Sequence, residues 1–263
     1  MNNIKYLIHK AFVSILVMAF ILTNVSVVYS EDTFRAARIS DLSGTVKVMK
    51  AGGEKEFKGF KGMSLSEGDR ITTDKSSWAK LDIDDDKEIK IGESTQIVIS
   101  ELKGSLGTKD DRTGISLFTG KLWTKIKKTL NIRSKYEIKT PTTVMGVRGT
   151  QFYVGQEDGS TDVAVLEGTV VATTYVPVEQ PDGTGGQQEI ETTINQNEQV
   201  TLDDTILSQE DVQIEDVTTE TLDLFVLETI REDHEGVDQN LLQDIDRVIE
   251  ERQEEQQQQE EEE

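Results

Sequence analysis

Residues 140–154, TPTTVMGVRGTQFYV, and residues 162–171, DVAVLEGTVV, decide how this chain is read. Both are dense in β-branched and aromatic side chains, which suit a pleated, half-buried surface. Both are punctuated by glycine, and glycine inside a strand marks a bulge, a bend or a close approach of backbones. A single arginine, Arg148, stands between Gly146 and Gly149, with Thr150 next in line. A guanidinium set into such a strand needs a carboxylate and carbonyl acceptors around it. Glu167, beside Gly168, and Asp69, beside Gly68, are the expected partners. Arg148 then pins a turn across the core rather than gripping a ligand.

The β character extends over residues 34–175. Lys80-Leu81-Asp82-Ile83 and Glu88-Ile89-Lys90-Ile91 alternate charged and apolar side chains, so one face is buried and the other wet. Turn residues separate the runs at Gly52-Gly53, Asp84-Asp85-Asp86, Gly104, Gly107 and Asp158-Gly159. A unit of the form apolar-x-Gly-x-apolar recurs around Gly44, Gly120 and Gly168. Its irregular spacing predicts strands that bend and stack alike, as in a twisted β-solenoid or β-roll, and not a strict repeat. Residues 177–196, with Pro177, Pro181 and two glycine pairs or near-pairs, predict a loop excursion. Residues 197–202, NEQVTL, predict a strand that closes the β region.

After about residue 204 the period changes. Leu222, Phe225, Val226 and Ile230 share one helical face, and Leu241, Leu242, Ile245, Val248 and Ile249 do so more cleanly. The final glutamine–glutamate run is solvated, as an extended helix or, as its composition favours, a disordered end. The expected organisation is therefore a leader over 1–30, a β domain over 31–204 and an acidic helical tail over 205–263.

The leader has a positive head (Lys5, His9, Lys10), an apolar run from Ala11 to Leu22, and compact residues at Val28-Tyr29-Ser30. That is the tripartite pattern of a secretory signal, and it predicts cleavage after Ser30 and a protein exported to the periplasm, the cell surface or the medium. An uncleaved leader would be the only membrane attachment. The chain has no cysteine, so the exported domain must hold itself together by its core.

The net charge of -22 is uneven. Residues 176–263 hold 28 acids against 3 arginines, whereas residues 31–175 are balanced to within one charge. Such a split excludes the basic footprint of a nucleic-acid binder. Within the balanced part Lys121, Lys125, Lys127 and Lys128 begin a basic run. Read functionally, the run would grip an anionic polymer or the chain's own acidic tail; otherwise it is the wet side of strands. The tail stripe of Leu241, Ile245, Val248 and Ile249 would pack on the β domain or pair with a helix of another chain.

No catalytic constellation is marked. The histidines number 2, and no G-x-S-x-G or phosphate-binding glycine loop is present. Asp82, Asp84, Asp86 and Glu93 have the spacing of calcium-loop carboxylates, but Lys87 replaces the glycine and the flanks read as strands. A charged hairpin tip is the expectation, with no metal and no cofactor. A polysaccharide-processing enzyme, with two carboxylates across a groove, is the remaining enzymatic alternative.

Three blocks carry a family resemblance: residues 67–91, EGDRITTDKSSWAKLDIDDDKEIKI; residues 117–123, LFTGKLW; and residues 140–171. Together they resemble the FecR domain of bacterial envelope proteins, over about residues 38–204. The resemblance implies a mainly β, solenoid-like domain outside the cytoplasm. In the family's namesakes it relays a signal from an outer-membrane transporter, through one membrane span, to a segment that controls a sigma factor. Here no sigma-binding segment precedes the apolar stretch and no later transmembrane helix follows. What the resemblance implies for this chain is an interaction, sensor or scaffold domain, with an envelope protein or a cell-surface polymer as partner, or a structural surface component.

Overall fold

The structure is a computed structural model and describes residues 32–105, 111–127, 134–147, 149–179, 185–203 and 205–262. The expected leader, Lys128 and Arg148 lie outside the described residues. Alternation builds the strands as the sequence predicts: in residues 78–83 every second side chain, Ala79, Leu81 and Ile83, is fully buried.

The strands in chain order are β1 (Asp32–Phe34), β2 (Ala37–Ser43), β3 (Val46–Met49), β4 (Glu56–Lys58), β5 (Ser64–Leu65) and β6 (Arg70–Thr73). β7 (Trp78–Ile83), β8 (Lys87–Ile91), β9 (Gln96–Ser105), β10 (Arg112–Ile126), β11 (Lys135–Lys139) and β12 (Thr143–Val147) follow. β13 (Gln151–Glu157), β14 (Ser160–Glu167), β15 (Thr169–Glu179), β16 (Gly185–Asn195), β17 (Glu198–Leu202) and β18 (Ile214–Asp216) complete the set. Three helices end the chain: α1 (Leu224–Glu232), α2 (Gln239–Leu242) and α3 (Ile245–Glu262).

The strands form two sheets. The first runs β4-β3-β6-β9-β10-β11-β12-β15-β16, with β1 also on β9. The second runs β5-β2-β7-β8-β10-β13-β14-β17-β18. All pairings are antiparallel except β10 with β11. Neither sheet closes: among the described residues β4, β16, β5 and β18 are paired on one side only. Inward side chains of both sheets, such as Ile39, Ile71, Ile89, Ile97, Phe152 and Ile194, make one apolar core.

β10 belongs to both sheets. Its first half pairs with β9 and β11, and from Gly120 onward it pairs with β8 and β13. Gly120 makes the change of sheet with φ +95°, a conformation that side-chain-bearing residues rarely adopt. A Cβ there would fall 2.2 Å from Thr95 Oγ1 and 2.5 Å from Thr95 Cα. The freed backbone is satisfied locally, because the Lys121 amide donates to Thr95 Oγ1 at 2.9 Å. The other two recurrent units do the same work. Gly44 carries the chain from β2 in the second sheet to β3 in the first, against Ser77, and Gly168 carries it from β14 to β15, against Thr150. The repeated motif is a sheet-changing corner, which explains its irregular spacing.

The expected loop over 177–196 is instead a long hairpin of β15 and β16. Pro177 is tolerated for a geometric reason. The Tyr175 amide donates to Thr142 O, so two residues on the missing Pro177 N–H would face the same side, beyond the last β12 pairing at Thr143–Thr174. A proline costs nothing where no ladder bond is due. At the other end, α3 runs through the glutamine–glutamate segment to Glu262 where composition favoured disorder. Both residues are good helix formers, and they extend a helix whose first turns are anchored by packing. The acidic tip between β7 and β8 holds basic side chains: Arg35 bonds Asp84, and Lys87 Nζ lies 2.7 Å from Asp86 Oδ1.

Gly120→Ala combines backbone strain with a backbone clash and is expected to cost at least about 3 kcal/mol. Gly146, although part of the signature stretch, has its nearest would-be Cβ neighbour at 3.9 Å. Gly146→Ala is therefore expected to be neutral or stabilising by about 0.4–1 kcal/mol. Urea denaturation of both variants checks this; equal effects would contradict the corner role of Gly120.

Candidate functional site

The second sheet has two buried faces, and the outer one is where the tail sits. On β10, β13 and β14 the inward positions Leu122, Phe152, Val154, Val163 and Val165 enter the main core. The outward positions Trp123, Tyr153, Ala164 and Leu166 are also buried, in a second apolar cluster. The pairing register aligns them: Trp123 is opposite Tyr153, and Tyr153 opposite Ala164. The cluster is completed by Leu222, by Val226, Leu227 and Ile230 of α1, by Val237, by Leu241 of α2, and by Ile245, Val248 and Ile249 of α3. The stripe of Leu241, Ile245, Val248 and Ile249 therefore packs within its own chain.

Charge borders this apolar seam. Lys90 Nζ lies 2.8 Å from Glu232, Lys121 Nζ 2.7 Å from Asp223, and Lys125 Nζ 2.7 Å from Asp233 and 3.1 Å from Glu235. Lys90 also stands 5.7 Å from the ring centres of both Trp78 and Phe225. Of the predicted basic run, Lys121 and Lys125 meet the tail, whereas Lys127 faces Glu88 at 3.8 Å. Burial opposes the charge on Lys125, but its hydrogen bonds to Asp233 and Glu235 outweigh that and hold its pKa above the ordinary value. Burial likewise opposes the Asp233 carboxylate, and the Lys125 bond more than offsets it, leaving its pKa lowered.

The signature block abuts the same seam. Gln151 Nε2 donates to Glu235 O at 2.6 Å and to Glu167 Oε2 at 3.2 Å. Gly236 packs so closely that a Cβ there would fall 2.4 Å from Glu167 Oε2. Glu167 thus touches the tail loop. Gly149 and Thr150 lie beneath the corner at Gly168, whose would-be Cβ falls 2.6 Å from Gly149 O. Asp69 is elsewhere and fully engaged: its buried carboxylate accepts from Lys50 Nζ at 2.6 Å and from the amides of Ser66 and Ala51. Gly68 precedes it at φ +87° and donates its amide to Ile99 O. Asp69 is a turn anchor between β5 and β6.

Where the tail leaves the sheet, a cleft of about 630 Å³ opens over β13, β14 and β17, lined by Tyr153, Asp162, Gln199, Thr201, Glu215 and Asp223 among others. A smaller one of about 310 Å³ lies on the other side of Tyr153, and Asp162 and Asp223 border both. Sequence reasoning missed Tyr153, Asp162 and Lys90. A signal existed: FYV at 152–154 and VAVL at 163–166 are unbroken apolar runs, as expected of strands covered on both faces.

Residues 69–171 match the FecR protein family. That stretch is similar to the FecR domain. The match begins at Asp69 and ends in β15, narrower than the 38–204 over which the resemblance is expected, so β2–β5 and β16–β18 extend the sheets beyond the matched residues on either side. No curated protein matches the chain. Two crystal structures of a candidate anti-sigma factor from Parabacteroides distasonis are similar. The one at 2.50 Å resolution is 15% identical with a TM-score of 0.39, over 56% of this chain and 58% of the other. The one at 1.65 Å is 14% identical with a TM-score of 0.43, over 60% and 64%. The chain spans less than two thirds of the length of either. No described helix is long and apolar enough to cross a membrane.

The Lys125–Asp233 pair sets a pH window for docking. Asp233 has a depressed pKa, so its contribution is complete above the unfolded value of about 3.9 and is lost as pH falls through the lower folded value. Lys125 has a raised pKa, so its contribution is complete below about 10.4 and is lost as pH rises through the folded value. Trp123 fluorescence should therefore stay blue-shifted between these limits and shift red outside them. Leu227→Ala, emptying a fully buried position in the seam, should cost about 2–5 kcal/mol of stability. A loss below 1 kcal/mol would mean that the tail is not bound as described.

Proposed function

We propose that this protein is a non-enzymatic interaction, sensor or scaffold module of the bacterial envelope, exported by its leader and built on the FecR domain. The observation that carries the reading is the outer face of the second sheet. Its buried aromatics, Trp123 and Tyr153, are ringed by Lys90, Lys121 and Lys125. Aromatic anchors with a charged rim are the composition of protein-binding surfaces. Here the chain's own acidic tail fills that face, so the domain already presents a protein-docking surface with one known occupant. We read the repeated passage of the chain between the two sheets as a roll-like winding that holds this face flat and rigid. The partner is another envelope protein.

Two outcomes check the proposal. Protein recovered from outside the cytoplasm should begin at Glu31 by mass spectrometry; retention inside the cell with an intact leader would sink the export reading. In cross-linking of envelope fractions, the intact chain should capture a defined protein. Ile249→Asp, which places a charge in the seam and releases the tail, should change what is captured. An identical absence of partners with both would remove the interaction reading.

A further inference from the structure

The paired clefts beside Tyr153 are acidic in a way the tail does not neutralise. Among the described residues, Asp162, Asp203, Asp211, Glu215, Glu220 and Asp223 line the larger one against one cation, Arg252. Arg252 is committed to backbone oxygens: it donates to Leu222 O at 2.5 Å, Glu220 O at 2.6 Å and Thr219 O at 3.1 Å. Asp162 accepts from the Thr201 hydroxyl, Asp203 from Thr205 and Asp211 from the Ser208 and Leu207 amides, all uncharged donors. Among the described residues Asp223 has an ion pair, with Lys121, and Glu220 feels the charge of Arg247. The negative charge of the cleft is therefore largely uncompensated.

A second observation makes this a site and not only an acidic surface. Tyr153 is 7% exposed, and no described residue bonds its hydroxyl. The hydroxyl lies over Gly155, where a Cβ would fall only 2.5 Å from it, and Gly155 lines the smaller cleft. Gly155 thus clears room for the hydroxyl of a buried ring that lines both clefts, with no hydrogen-bond partner among the described residues. Burial, then the charges of Asp223, Asp162 and Glu157, raise the phenol's pKa and keep it protonated. A protonated phenol among carboxylates can accept from a cationic N–H while donating to a carboxylate.

We propose that this cleft binds an arginine side chain on a basic segment of a partner protein, an assignment that rests on the interaction-module reading above. Arginine fits better than lysine for three reasons. Its planar fork can bond two carboxylate oxygens at once, it stacks on an aromatic ring, and it is desolvated more readily than an ammonium. Among the described residues no group of three metal-ligating side chains converges, so the acids are arranged along a cleft and not around a point. A volume of about 630 Å³ suits a side chain together with adjoining backbone.

The test uses full-length exported protein and a fluorescein-labelled Gly-Arg repeat peptide, with Gly-Lys and Gly-Glu repeats for comparison, followed by anisotropy. The Gly-Arg peptide should bind at least about tenfold more tightly than Gly-Lys, and Gly-Glu should not bind. Asp162→Asn and Glu215→Gln should each weaken binding by about tenfold or more. Tyr153→Phe, which removes only an unbonded hydroxyl, should weaken it while leaving the urea midpoint unchanged. Glu189→Gln, on exposed β16, should have no effect. Equal binding of Gly-Lys, or equal loss with Glu189→Gln, would overturn the site in favour of diffuse charge attraction. Displacement of the peptide by an equal concentration of free arginine would overturn the protein-segment assignment in favour of a small cation. Failure of peptide binding with tail-dependent capture intact would overturn the arginine site alone and leave the interaction reading standing.

Discussion

At Gly120 the backbone turns with φ +95° hard against Thr95, and one strand leaves the first sheet and joins the second. Everything else hangs on that passage. It makes β10 the common member of both sheets, so the two cannot slide relative to each other without breaking one continuous backbone. It also sets the register of the second half. Leu122, Thr124 and Ile126 point into the main core, and Lys121, Trp123 and Lys125 point outward. A one-residue slip would exchange these sets and bury two lysines in the core.

That outward row explains the chain's charge distribution. The balanced β region places lysines beside an apolar strip, and the acidic tail carries carboxylates spaced to meet them. Lys90 and Lys125 are nearly covered in the process, with side chains 9% and 5% exposed. Lysines so enclosed are tolerated because each keeps a carboxylate partner. The apolar cluster supplies the attraction, and the ion pairs select which acidic segment lies where. The acids that find no lysine gather in the cleft by Tyr153, where they are left for something else to meet.

The β domain was readable because period-two alternation survives wherever one strand face is wet, as in 78–83. The recurrent glycine unit was readable as a bend but not as a change of sheet, since the contact that demands glycine, Thr95 against Gly120 or Ser77 against Gly44, joins distant positions. The β15–β16 hairpin is not legible in the sequence because proline and glycine are local signals. Whether a proline is harmless depends on which side of the strand has a neighbour, and that is decided by where β12 begins. Of the site, the tail's apolar stripe and the lysine run were legible separately.

The sequence by itself determined a mainly β chain, its acidic helical end, and the residues that can bend or alternate, because those follow from short-range periodicity and backbone stereochemistry. It also determined the similarity of Asp69–Val171 to the FecR family, since that signature is local. Only the tertiary structure decided that the tail covers Trp123 and Tyr153, that Lys125 meets Asp233, and that Asp162 faces Asp223 across a cleft. Those pairs lie tens of residues apart, and they meet only because the fold buries both faces of the same three strands.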